Sequence, residues 1–317
     1  MRVLVTGADG FIGRAACRRL RRAGHDVRAA VWEPGPCDLE GCEITRIGAI
    51  GPRTEWAAAL VGVRAVVHLA ARVHVMDDRE ADPLRAYRTV NAEGTGRLAE
   101  EASRAGVGRI VFVSTIKVNG ERTTDRPFTE DDVPAPEDPY GLSKLEGEEA
   151  LRRAAKGNDM DFVILRLPLV YGPGVRANFE RLLRMVDRGW PLPLGRVANR
   201  RSFIGRENVA DLLARAVDDV RAAHRLFLVS DGDDVSTPEL IRRIARSLGR
   251  PVRLWPVPIG LLRGAARLTG RQAVVDRLCG SLVVDSTKVR TTLDWTPPCT
   301  MEEELKRAAR AFRGGEG

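Results

Sequence analysis

Residues 3–13 read VLVTGADGFIG, and this stretch decides the fold. Val3-Leu4-Val5 is an apolar run too short for a helix and suited to a strand covered on both faces. Gly7, Gly10 and Gly13 follow at three-residue spacing, just ahead of a helical pattern. Gly7 permits the tight turn, Gly10 lets backbone approach a diphosphate, and Gly13 lets the helix pack closely on the strand. Asp9, Phe11 and Ile12 complete the turn, and the free N–H groups at the helix amino end favour negative charge. Strand, glycines and helix in this order make a dinucleotide-binding signal.

Outward from this turn, apolar runs recur at residues 27–31, 44–47, 65–69, 110–113 and 162–169, with helical patterns at 14–22, 85–105 and 143–155. Such alternation predicts an α/β fold, a Rossmann-type doubly wound parallel sheet whose strand ends line one edge, where ligands bind. After Tyr171, Gly172-Pro173-Gly174 and Trp190-Pro191-Leu192-Pro193 break the pattern. The dinucleotide-binding domain is therefore expected over 1–171, with a return segment at about 204–230. A smaller, interleaved α/β substrate-binding region is expected over 172–203 and 231–317. Residues 258–270, PIGLLRGAARLTG, read as an amphipathic helix whose Leu261, Leu262, Ala265 and Leu268 are expected to pack on the protein rather than on a membrane.

The composition is that of a globular chain: 317 residues, 44% hydrophobic and 30% charged, which excludes a collagen, a coiled coil or a disordered tail. No apolar run is long enough to span a bilayer and no signal peptide opens the chain, so a cytoplasmic protein without stable membrane insertion is expected. Five cysteines are scattered without metal-ligand spacing, and reduced thiols with no metal site are expected. Of 51 basic residues only five are lysines, and the 46 arginines are interleaved with acids along the whole chain. Aromatics make up only 5%, so nothing concentrates charge and stacking rings as a nucleic-acid surface does, and no nucleic-acid partner is expected. A basic protein also suits a small anionic substrate.

Three further constellations carry chemistry. In Tyr140-Gly141-Leu142-Ser143-Lys144 the phenol and the amine stand one helical turn apart, and a nearby ammonium lowers a tyrosine pKa toward neutrality. VFVSTIKVNG (111–120) is a strand whose carboxyl end delivers Ser114 and Thr115. His68-Leu69-Ala70-Ala71 closes another strand, with small residues where backbone must lie against a nucleotide, and Asn91 follows. His68, inside an apolar strand, reads as a buried, hydrogen-bonded histidine.

The Gly-x-x-Gly-x-x-Gly spacing resembles the extended branch of the short-chain dehydrogenase/reductases. With the Tyr140–Lys144 pair, the Ser114-Thr115 strand end and Leu165-Arg166-Leu167-Pro168-Leu169-Val170-Tyr171-Gly172-Pro173-Gly174, the chain resembles the NAD-dependent epimerase/dehydratase family of nucleotide-sugar enzymes over essentially its whole length. The resemblance implies Thr115, Tyr140 and Lys144 as catalytic residues, with Ser114 left as the alternative hydroxyl. It implies a cofactor, NAD or NADP, held by Gly7, Asp9, Gly10, Phe11, Ile12, Gly13, Leu69, Ala70, Ala71, Asn91, Tyr140, Lys144 and Pro168. It implies a UDP-sugar substrate met by His74, Ser114, Thr115, Lys117, Arg201 and Arg277. A homodimer is a further partner that the resemblance allows.

Departures from the family pattern fall at the adenosine end. Trp32 stands where related enzymes carry a charged residue, and Ala49, beside Ile50, replaces an aspartate, so the choice between NAD and NADP stays open. STIKVNGE (114–121) and FLVSDGDDVS (227–236) are closest to reductases that form UDP-N-acetylquinovosamine from a UDP-linked 4-keto-6-deoxy sugar. The expectation is such a 4-ketoreductase, with a UDP-hexose 4-epimerase holding tightly bound NAD as the alternative. A nucleotide-sensing or RNA-binding relative is disfavoured, because such proteins usually lose the tyrosine–lysine pair.

Overall fold

The computed structural model describes residues 1–33, 39–73, 82–270 and 272–314. In chain order the elements are β1 (Arg2–Thr6), α1 (Phe11–Arg22), β2 (Asp26–Val31), β3 (Glu43–Arg46), α2 (Ala57–Leu60), β4 (Ala65–His68), α3 (Pro83–Arg88), α4 (Gly94–Arg104), β5 (Arg109–Thr115) and α5 (Pro139–Ala154). They continue with β6 (Asp161–Leu167), β7 (Leu169–Tyr171), α6 (Ala177–Asp187), β8 (Phe203–Gly205), α7 (Arg206–Asp218), β9 (Arg225–Leu228), α8 (Thr237–Ser247), α9 (Ile259–Leu268), α10 (Gln272–Cys279), α11 (Thr287–Leu293) and α12 (Met301–Gly314).

Seven strands form one parallel sheet in the order β3-β2-β1-β4-β5-β6-β9. Its central strands carry apolar runs and are largely buried, as a sheet covered on both faces requires. Val5 pairs with Ala29 of β2 on one side and Val67 of β4 on the other, so the strand order reverses beside β1. That reversal opens a crevice at the carboxyl ends of β1 and β4. One apolar layer joins α1, α7 and α11 to the sheet, and the opposite layer is built around Trp56, Leu98, Phe112 and Leu151.

Three boundaries differ from the sequence reading. The run at 162–169 divides at Pro168, which lacks an N–H for the ladder, and its last residues pair with β8 in a separate sheet. The helix expected over 85–105 is interrupted by a π turn at Thr89–Glu93, which carries Asn91. The helix expected to start at Ser143 starts at Pro139, because Asp138 accepts the N–H of Gly141 and proline suits the first turn.

A second apolar core gathers α6, α8 and α12 around Tyr171, Leu183, Ile244 and Leu305. Glu304 of α12 is fully buried and accepts the N–H of Glu207 at the start of α7, 2.9 Å away. Its stem lies 2.9 Å from where a Cβ on Gly205 would stand, and its carboxylate 3.0 Å from where one on Gly172 would. Residues 258–270 do not pack as expected: on α9 only Ala266 is buried, and Leu261 and Leu268 face outward. Among the described residues no helix is long and apolar enough to cross a membrane.

Candidate active site

The glycine turn sits at the reversal of strand order. Gly7 takes φ +63°, a left-handed conformation that favours glycine, and a Cβ there would lie 2.9 Å from the backbone nitrogen of Ala70. A Cβ on Gly13 would lie 2.0 Å from the carbonyl oxygen of Gly7. Helix α1 opens on Gly10 with no side-chain cap and no acid in its first turn, so its leading N–H groups are left for an anion. These features fit the diphosphate of a dinucleotide cofactor.

A polar chain runs from that turn into the sheet. Thr95 donates to the carbonyl of Asn91 at 2.7 Å, so it accepts from His68 Nε2 at 3.0 Å. His68 Nδ1 is then bare and accepts from Thr6 at 2.7 Å, and Thr6 in turn accepts from the N–H groups of Leu69 and Ala70. Burial first, and the charge of Lys144 second, pull His68 down to about 3, which keeps it neutral. Asn91 clasps the backbone of Arg72 in both directions and donates to Ser143, tying the loop after β4 to α5. Leu69, Ala70 and Ala71 line that loop and are partly exposed.

Tyr140, Lys144 and Glu148 recur every four residues along one face of α5. Tyr140 is half-buried, with its ring edge-on to Tyr87 at 6.0 Å. Lys144 is buried, with Nζ 3.9 Å above the ring of Phe112. The expected lowering of the tyrosine pKa is absent here. Burial pushes the phenol up, with the charge of Asp138 and then Tyr87 adding to it. Burial also pulls Lys144 down to about 7, against the opposing charge of Glu148. The ammonium rests on an aromatic face, and spacing along the helix did not reveal that.

Ser114 and Thr115 point to opposite faces of β5, as successive strand residues must. Ser114 donates to the carboxylate of Glu148 at 2.5 Å, and not into the crevice expected of a substrate contact. Glu148 is fully buried and grips Arg166 of β6 through two bonds, at 2.9 and 2.7 Å, while Arg166 donates a third to Asn119. Thr115 accepts only the N–H of Lys117, at 3.3 Å, which leaves its proton to donate. The Lys117 amine, expected to face substrate, is held by Glu121 at 2.6 Å and by Asp138 at 2.5 Å. Glu148 and Arg166 were missed as a pair. Position eight after Tyr140, on the same helical face, was the available signal for Glu148.

Arg201 and Arg277 do come together. Arg201 donates to the carbonyls of Arg277 and Gly280 at 2.9 and 3.1 Å, at the end of α10. Burial, then the neighbouring Arg277, lowers the Arg201 pKa. The Arg201 guanidinium on the backbone of Arg277, and the charge of Arg277 felt by it, make this corner electropositive. Pro168 is buried at the β6–β7 break. At the adenosine end Trp32 and Ala49 are exposed, and Ile50 packs on the sheet layer. His74 lies outside the described residues.

Comparison with known proteins identifies the family. The chain is 44% identical over 313 residues to a protein named UDP-glucose 4-epimerase from Vibrio cholerae, covering 98% of this chain and 95% of that one. It is 27% identical to an Escherichia coli O157:H7 protein named N-acetyl-alpha-D-glucosaminyl-diphospho-ditrans,octacis-undecaprenol 4-epimerase, covering 96% and 93%. Among solved structures it superposes on MoeE5 in complex with UDP-glucuronic acid and NAD, with a TM-score of 0.79 and 27% identity over 99% of this chain and 100% of that one. Residues 3–229 match the model of a family, and the chain belongs to that family, the NAD dependent epimerase/dehydratase family, as an enzyme of the extended short-chain dehydrogenase/reductase type.

Proposed function

We propose that the protein is a UDP-hexose 4-epimerase, acting on UDP-glucose or UDP-N-acetylglucosamine with NAD retained through the cycle. The observation that carries this reading is the 44% identity, over nearly the full length of both chains, to the Vibrio cholerae 4-epimerase. The 4-ketoreductase, expected from the resemblance of residues 114–121 and 227–236 to such reductases, gives way to it.

The glycine turn at Gly7, Gly10 and Gly13 takes the NAD diphosphate, and Leu69, Ala70 and Ala71 flank it. A bound NAD would supply the hydride acceptor and donor for C4 of the sugar. Tyr140 removes the proton of the C4 hydroxyl and later returns it. Lys144, one turn of α5 from Tyr140, is the cation available to a developing phenolate. Thr115, with its proton free, donates to the sugar oxygen, a role closed to Ser114 by Glu148. Arg201 and Arg277 receive the UDP diphosphate.

The test is incubation of the purified protein with UDP-glucose and no added nicotinamide, with the product resolved chromatographically. UDP-galactose is expected, and Tyr140→Phe should lower kcat by at least about 10²-fold while NAD binding survives. Stoichiometric loss of reduced nicotinamide on a UDP-linked 4-keto-6-deoxy sugar, with no hexose interconversion, would overturn the epimerase in favour of the reductase.

A further inference from the structure

Residues 250–280 contain six arginines and a single acid, Asp276, and so carry five of the eight net positive charges of the chain. They lie beyond the stretch matched by the family and include α9 and α10. On α9, Ile259 and Leu262 pack against the second core, and Ala266 is buried. The opposite ridge is bare: Leu261 is 67% exposed and Leu268 91%, with Trp255 at 60% just before the helix and Val274 at 53% on α10. Gly260 and Gly264 look onto open space, so no part of the described chain covers this side.

The charges are arranged around these apolar groups. Arg263 reaches Asp276 at 3.6 Å, and Arg253 and Arg267 make no ion pair among the described residues. Leucines turned outward on a short helix, a tryptophan at its entry and arginines beside them are the makings of a surface that lies in a lipid headgroup layer. A nucleic acid would use the arginines and the indole but has no need of Leu268. A second copy would set like charges against each other.

We propose that α9, with Trp255 and the start of α10, seats the protein on an anionic phospholipid bilayer as a peripheral contact. The leucines and Trp255 enter the headgroup boundary, and Arg253, Arg263 and Arg267 meet lipid phosphates. This contact is independent of the proposed epimerase reading and adds to it. It places α10, whose end receives the guanidinium of Arg201, beside the membrane.

The test is co-sedimentation of the full chain with vesicles of phosphatidylglycerol and phosphatidylcholine in equal parts, against pure phosphatidylcholine. Salt-sensitive binding to the anionic vesicles alone is expected. Leu261→Asp with Leu268→Asp should weaken it by about tenfold per leucine, leaving the thermal melt and UDP-hexose turnover unchanged. Arg263→Gln with Arg267→Gln should weaken it and flatten its salt dependence. The proposal is overturned by no sedimentation with either vesicle, or by binding that survives the leucine pair. It is also overturned by a dimer in velocity sedimentation that the leucine pair dissolves, or by RNA that displaces vesicles and binds the leucine pair undiminished.

Discussion

Helices α1 and α9 are both short, amphipathic and rich in arginine, yet they meet opposite surroundings. On α1, Ala15, Ala16, Cys17 and Leu20 are buried, and even its outward arginines find partners, Arg18 on Glu207 and Arg19 on Asp211. On α9 a ridge of leucines meets nothing in the described chain. Their glycines differ in the same way: Gly13 is wedged against the carbonyl of Gly7, and Gly264 has open space. Helical periodicity states that a helix has two faces. What each face meets is decided by the layers around it.

The contrast can be broken at both ends. The largest effect is expected around α5, in the tightly satisfied half: Glu148→Gln strands the buried Arg166 and should cost about 3–5 kcal/mol, read from the urea midpoint. Next, Gly13→Ala forces a methyl onto backbone and should cost about 3 kcal/mol, together with NAD binding in a titration.

A smaller effect comes from His68. It stays neutral when folded but binds a proton when unfolded below about pH 6.5, so stability falls as pH drops from about 6.5 toward 3. Between pH 6.5 and 5 the loss should be about 1–2 kcal/mol more than in His68→Asn, measured by urea midpoints at each pH. The smallest effect has the opposite sign. Gly264→Ala should stabilise by about 0.5–1 kcal/mol, because alanine favours a helix and nothing obstructs it. A loss at Gly264 as large as at Gly13 would erase the distinction between the two helices.

The glycine turn and its parallel sheet were legible because both are written locally, in runs such as Val3-Leu4-Val5 and in spacings that only glycine satisfies. The histidine inside β4 was readable as buried for the same reason. The orientations of Ser114, Lys117 and Lys144 were not readable. Each is settled by a partner distant in sequence: Glu148 for Ser114, Asp138 for Lys117, and the ring of Phe112 for Lys144. Leu261 and Leu268 of α9 were misread toward packing because pattern alone cannot count the elements available to cover them. Arginine content misled in another sense, since several arginines serve as struts. Arg109, for instance, is buried and ties the last carbonyls of α7 to Asp161.

Glu304 sets an order of events for a nascent chain. Helix α7, which packs on α1, leaves the ribosome ahead of the carboxylate that closes its second N–H, the partners being 97 residues apart. Until α12 arrives, the cavity beside Gly172 and Gly205 stands open to water and the start of α7 can fray. The start of α7 therefore completes its folding only after α12 has been made.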